Sequence, residues 1–166
     1  MMRKLAPLLM LAALSGCGLQ PMYAGGSNGV VAQGLAGIEV SPIEGKAGWL
    51  VRNALNDRLT QGGGGSAGST RYILEVKLDD QLEGFGLRNN DTIGRERRTL
   101  RARYQLLDAG SGDILLDATA GSDAGIDVVS SEYATIAAEQ TALENLSRDI
   151  ADRIVTRLAL QLRPKG

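Results

Sequence analysis

Six arginines crowd one stretch of the chain: Arg88, Arg95, Arg97, Arg98, Arg101 and Arg103. Around them the pattern alternates, with Leu100, Ala102, Tyr104 and Leu106 set against Thr99, Arg101, Arg103 and Gln105. That period predicts a strand over 93–107. Successive strand side chains point to opposite faces, so Arg95, Arg97, Arg101 and Arg103 line the outward face together and Arg98 lies on the other. Neighbouring like charges repel, so the row is balanced either by acids on adjacent strands or by an external anion. Glu75, the acids beside Lys77, and Glu96 are the candidate partners in the chain. The planar guanidinium fork suits phosphate and carboxylate oxygens best among external ligands.

Residues for catalysis are scarce by comparison. There is no histidine, which removes the commonest general base and metal ligand. Asp79 and Asp80 are adjacent on a strand and point apart, unlike a cooperating acid–base pair. Asp123, Asp127 and Glu132 lack the spacing of an EF-hand. Ser66, Ser69, Ser130 and Ser131 sit in no G-x-S-x-G elbow. The Gly62-Gly63-Gly64-Gly65 run follows a helical pattern and carries no lysine, so it is a connection and not a phosphate loop. The chain reads as non-catalytic, with no cofactor and no metal; an envelope-polymer enzyme is the weakest alternative.

The single cysteine has a different chemistry. Arg3 and Lys4 open the chain, Leu5 to Leu14 is apolar except for Pro7, and Leu14-Ser15-Gly16 leads into Cys17. The run is too short for a membrane-spanning helix, which needs about 20 residues. Residues 1–16 therefore read as an export signal of the lipoprotein type. A lone cysteine cannot form an internal disulfide in an exported chain, and acylation of Cys17 resolves that. Each buried methylene of an acyl chain contributes about 0.8 kcal/mol, so two or three chains anchor firmly. Removing Arg3 and Lys4 leaves 16 cations against 19 acids, a net charge of −3. That balance argues against a general nucleic-acid binder.

The elements that must position the arginines follow from periodicity. Residues 17–34 form a lipidated N-terminus and a glycine-rich tether, and 35–166 a single domain. A short edge strand lies within 35–43, ending at Pro42. Val51, Leu55 and Leu59, widened by Leu50 and Ala54, mark an amphipathic helix over 49–60. Strands are predicted over 70–82, 93–107 and 114–120, the last two joined by the turn Asp108–Asp113. Ile114, Leu116 and Ala118 face one way on the third. Ser130 or Ser131 caps a long final helix carrying Ile136, Leu143, Leu146, Ile150, Ile154 and Leu158 to about Leu162. The order β-α-β-β-β-α implies an α/β (α+β) two-layer sandwich: about four mostly antiparallel strands with two helices on one face.

The segment Leu14-Ser15-Gly16-Cys17-Gly18-Leu19-Gln20-Pro21-Met22-Tyr23 resembles the start of the LPS-assembly lipoprotein LptE family. Asn53-Ala54-Leu55, Arg58-Leu59, Tyr72-Ile73-Leu74, Thr99-Leu100-Arg101-Ala102 and the long last helix agree in order with that family. The resemblance implies an outer-membrane lipoprotein on the periplasmic side. It would plug and help assemble the LptD β-barrel and bind lipopolysaccharide through basic residues, here Arg88, Arg95, Arg97, Arg98, Arg101 and Arg103. The runner-up is an auxiliary lipoprotein of a lipid-transporting ABC system.

Overall fold

A computed structural model describes residues 29–63, 70–87 and 93–163. Cys17 and Arg88 lie outside these described residues, as do the signal and most of the tether. Seven elements follow in order: α1 (Val30–Ala36), β1 (Ile38–Val40), α2 (Gly45–Gly63), β2 (Tyr72–Leu87), β3 (Ile93–Asp108), β4 (Ile114–Asp127) and α3 (Glu132–Gln161). The strands form one sheet in the order β1-β2-β3-β4. β1 pairs parallel to β2, and β2-β3-β4 is an antiparallel meander. The expected α+β class holds, with one helix more than periodicity suggested.

Period-two burial sorts the sheet into a covered and an open face. Leu74, Val76, Leu100, Ala102, Tyr104 and Leu106 are buried beneath the helices. From α2 come Val51, Leu55 and Leu59, and from α3 Leu143, Leu146, Ile150, Ile154 and Leu158, all in the same core. These helical residues recur every three or four positions, which puts them on one stripe. Ser147 sits inside this core, where its hydroxyl donates to the Leu143 carbonyl at 2.7 Å. Arg58 joins the two long helices through a forked contact to Asp152, with Nη2–Oδ2 at 2.8 Å.

Several boundaries depart from the periodicity. The predicted strand at 35–43 is only Ile38–Val40, because Leu35 and Ala36 belong to α1. α1 begins inside the stretch 17–34 expected to be tether, yet Val31, Ala32 and Gly34 there are buried. β2 runs on through Leu87 and β4 through Asp127, well past their predicted ends. Ile114 is exposed, not inward, because the pairing slips between Leu106 and Leu107. Ile136 is likewise exposed, in the turn of α3 that precedes the buried stripe. Ser131 is the cap: its side chain accepts from the Ala134 N–H.

Candidate functional site

The face of the sheet away from the helices is built from the odd-numbered residues of the three long strands. Arg95, Arg97, Arg101 and Arg103 stand on it in one row along the central strand, as the parity argument requires. In register, Glu83 and Gly125 flank Arg97, Asp79 and Gly121 flank Arg101, and Lys77 and Thr119 flank Arg103. Acids are therefore interleaved with the cations, but mostly on the outer strands, leaving the basic charge concentrated in the middle.

The intramolecular partners differ from those expected. Arg103 Nη2 meets Asp117 Oδ2 at 2.9 Å, and Gln105 donates to the same oxygen at 2.8 Å. These bonds, Arg103's first, hold the Asp117 carboxyl below its usual range. Arg95 Nε bonds Asp127 Oδ1 at 2.9 Å, between two well-exposed side chains. Arg97 stacks over Phe85 with 5.4 Å from guanidinium carbon to ring centre. Among the described residues, Arg101 and Lys77 form no hydrogen bond or ion pair. Neither Glu75 nor Glu96 serves the row: the acids that do are Asp117 and Asp127 on β4, whose extension past Ala120 periodicity did not anticipate.

Arg98 is separated from the others. On the helix-covered face it forks onto Asp80, with Nε–Oδ1 at 2.8 Å and Nη2–Oδ2 at 2.6 Å, and its Nη1 reaches the Glu139 carbonyl of α3 at 3.2 Å. Asp79 stays on the open face, so the two adjacent acids do point apart. Glu96 shares the covered side with Glu139. Burial first, and then that neighbouring carboxylate, push its carboxyl above the usual range. One Glu96 oxygen is buried without a hydrogen-bond partner.

The open face is not flat. Lys77, Asp79, Arg101, Arg103, Thr119 and Gly121 line a hollow of about 380 Å³. Gly121 lies on its floor: a Cβ there would sit in ordinary contact with Arg101, 3.6 Å from Cγ and 3.8 Å from Nη1, and a larger side chain would extend into the hollow. Lys77, Thr119 and Gly121 were not singled out by sequence, because only the register brings them beside Arg101. The arrangement can hold an anion on two unpaired cations, with Arg103 as a third through the guanidinium nitrogen that Asp117 does not occupy. Among the described residues no group of three His, Cys, Asp or Glu converges as a metal site, and Asp123 and Asp127 lie in strand β4. No described helix is long and apolar enough to cross a membrane.

The model of a family described as "LptE: Lipopolysaccharide-assembly" matches residues 35–158. No curated protein matches the sequence significantly. Of solved structures, a lipoprotein from Caulobacter crescentus CB15 is 28% identical, with a TM-score of 0.68 over 86% of this chain and 99% of that one. The minor lipoprotein of Acinetobacter baumannii shares the fold at 13% identity and a TM-score of 0.59, covering 78% of this chain and 94% of its own. Rare lipoprotein B of Shewanella oneidensis does so at 12% identity and 0.51, covering 74% and 92%. With the family model spanning the sheet and both long helices, this chain belongs to the LptE family of non-enzymatic lipopolysaccharide-assembly lipoproteins.

Proposed function

We propose that this protein is anchored to the outer membrane by acyl chains on Cys17, sits in the lumen of an LptD-type β-barrel, and holds lipopolysaccharide on its open sheet face. The observation that carries the last part is the group of Lys77, Arg101 and Arg103 around the Gly121 hollow, where two of the three cations have no internal partner. Arginine's fork and lysine's point charge are the usual ligands of phosphate oxygens. Two unpaired cations beside a third around one hollow suit an anion from outside. Arg95 and Arg97 extend the row toward the far end of the sheet. Arg98 is committed to Asp80 and Glu139, so its contribution is to hold β2, β3 and α3 together. The barrel assignment rests on family membership, and a mixed-charge open face suits a wet lumen, where polar, water-accessible contacts are tolerated.

Lipopolysaccharide binding by the combined Lys77→Ala, Arg101→Ala and Arg103→Ala variant tests the site. Charge-assisted hydrogen bonds contribute about 1.5–3 kcal/mol each, so loss of three predicts affinity at least tenfold lower, each factor of ten being about 1.4 kcal/mol. Gly121→Leu, which fills the hollow and keeps every charge, is expected to weaken binding as well. Unchanged affinity in both variants would contradict the assignment. Cys17→Ser is expected to release the protein from membranes, and its retention there would remove the anchor.

A further inference from the structure

β4 is an edge strand of 14 residues, and its open edge has a defined parity. The Val128 N–H donates to the Gly94 carbonyl at 3.1 Å, continuing the β3–β4 register in which Glu96 faces Ile126. Even residues of β4 therefore bond to β3. The N–H and C=O groups of Asp117, Thr119, Gly121, Asp123 and Gly125 consequently point outward, away from the sheet. An edge of this kind is a template for another strand unless Pro, Lys or a covering element blocks it. From Ala118 to Ile126, β4 has neither Pro nor Lys.

α3 runs antiparallel beside this edge and presents one side of itself to it. Asp149 accepts from the Ser122 hydroxyl at 3.3 Å, and Gln161 Nε2 donates to the Leu115 carbonyl at 2.9 Å. Between these two contacts, Arg153 and Arg157 line a second hollow with Tyr104 and Ala118–Gly121. Both arginines are exposed, and among the described residues neither has a hydrogen bond or ion pair. Four helical positions rise about 6 Å, and alternate residues of a strand are about 6.6 Å apart. Two carboxylates at i and i+2 of an added strand thus match two arginines at i and i+4 of α3.

We propose that the open edge of β4, with Arg153 and Arg157 beside it, docks an extended protein segment bearing acidic residues two positions apart. Strand addition supplies main-chain hydrogen bonds for affinity, and the arginines select the side chains on the helix side. A second copy of this chain is the wrong partner. Its β4 acids Asp117, Asp123 and Asp127 lie on the open face, and antiparallel pairing of two β4 edges would bring Arg153 and Arg157 toward their own copies. The chain's own residues 17–28 contain no acid and cannot satisfy the pair. The proposal uses neither Lys77 nor Arg101, and of the lipopolysaccharide hollow it shares only the β4 segment Thr119–Gly121, through its edge-facing backbone.

The test uses the full-length protein in detergent and fluorescent octapeptides of alternating Thr and Val. One carries Asp at two positions separated by one residue; a second, of identical composition, carries the two Asp side by side. Fluorescence anisotropy is expected to show the first binding about tenfold tighter than the second. Thr119→Pro, whose lost N–H faces the edge and not β3, should abolish that binding while circular dichroism stays unchanged. Arg153→Ala with Arg157→Ala should erase the preference between the peptides. Equal affinity for both peptides, or full binding by Thr119→Pro, overturns the proposal. So does binding of phosphatidylglycerol vesicles that depends on Arg153 and Arg157 but survives Thr119→Pro, since the pair would then serve a lipid headgroup.

Discussion

Two arginines three residues apart do unlike work, and their surroundings say why. Arg95 and Asp127 pair with side chains 65% and 74% exposed, whereas Arg98 and Asp80 pair at 16% and 25%. Exposed pairs contribute at most about 1 kcal/mol. Removing one member of a sheltered, hydrogen-bonded pair strands the other and costs more. Arg98→Ala is therefore expected to destabilise the fold by about 2–3 kcal/mol in urea titrations, and Arg95→Ala by less than about 1 kcal/mol. Equal losses would contradict this assignment. Glu96 adds a pH dependence. Its carboxyl is raised in the folded state by burial and by Glu139, so its contribution is most favourable below the unfolded carboxylate pKa and is lost as pH rises through the folded value. Glu96→Gln should raise the melting temperature at neutral pH by a few degrees, a gain that shrinks as pH falls through the raised folded value and is gone below about pH 4. A gain equal at both pH values would exclude the carboxylate as its cause. The faces of the five β3 arginines were legible from parity alone. Their partners were not, because Asp80, Asp117 and Asp127 are brought up by a register that no local pattern encodes.

At the scale of elements, Gly48 shows packing reversing a local preference. Replacing glycine by alanine inside a helix ordinarily stabilises it by about 0.5–1 kcal/mol. A Cβ on Gly48 in α2, however, would lie 2.5 Å from the Ile43 carbonyl oxygen and 2.7 Å from its carbon. Both atoms are backbone, so the helix start or the preceding loop must shift. Gly48→Ala is predicted to lower the unfolding free energy, and a higher denaturation midpoint would refute the close approach. In α3, Ile150 and Ile154 are fully buried, and truncating either to alanine should cost about 2–5 kcal/mol by calorimetry or urea titration. These core stripes were readable because burial and period coincide. α1 was not, since seven residues containing Gly34 carry too little pattern, and its burial comes from packing on α2 and on the distant end of α3, where Leu162 Cδ1 is 3.2 Å from the place of a Gly34 Cβ. The second half of β4 was hidden for a similar reason. Ala120-Gly121-Ser122-Asp123-Ala124-Gly125 has the composition of a turn, and only pairing with β3 from Arg95 to Ala102 extends it.

For the molecule as a whole, the lengths agree. A 30-residue α3 spans about 45 Å, and strands of 16 residues span about 50 Å, so the final helix need not overhang the sheet. Gly34 of α1 beside Leu162 puts the entry of the chain at the same end as the exit of α3. The β2–β3 tips and the start of α3 lie at the opposite end. The proposed anchor at Cys17 joins the domain at the first of these ends, and the open sheet face runs along the long axis. Only the pairing of α1 with the last turn of α3 reveals this polarity. Purification from native membranes in mild detergent, with an affinity tag on this chain and quantitative mass spectrometry of what accompanies it, tests the role most directly. The account predicts an LptD-type barrel in one-to-one ratio, retained by the Lys77→Ala, Arg101→Ala, Arg103→Ala variant. Recovery of the intact, membrane-bound protein with no barrel would contradict it.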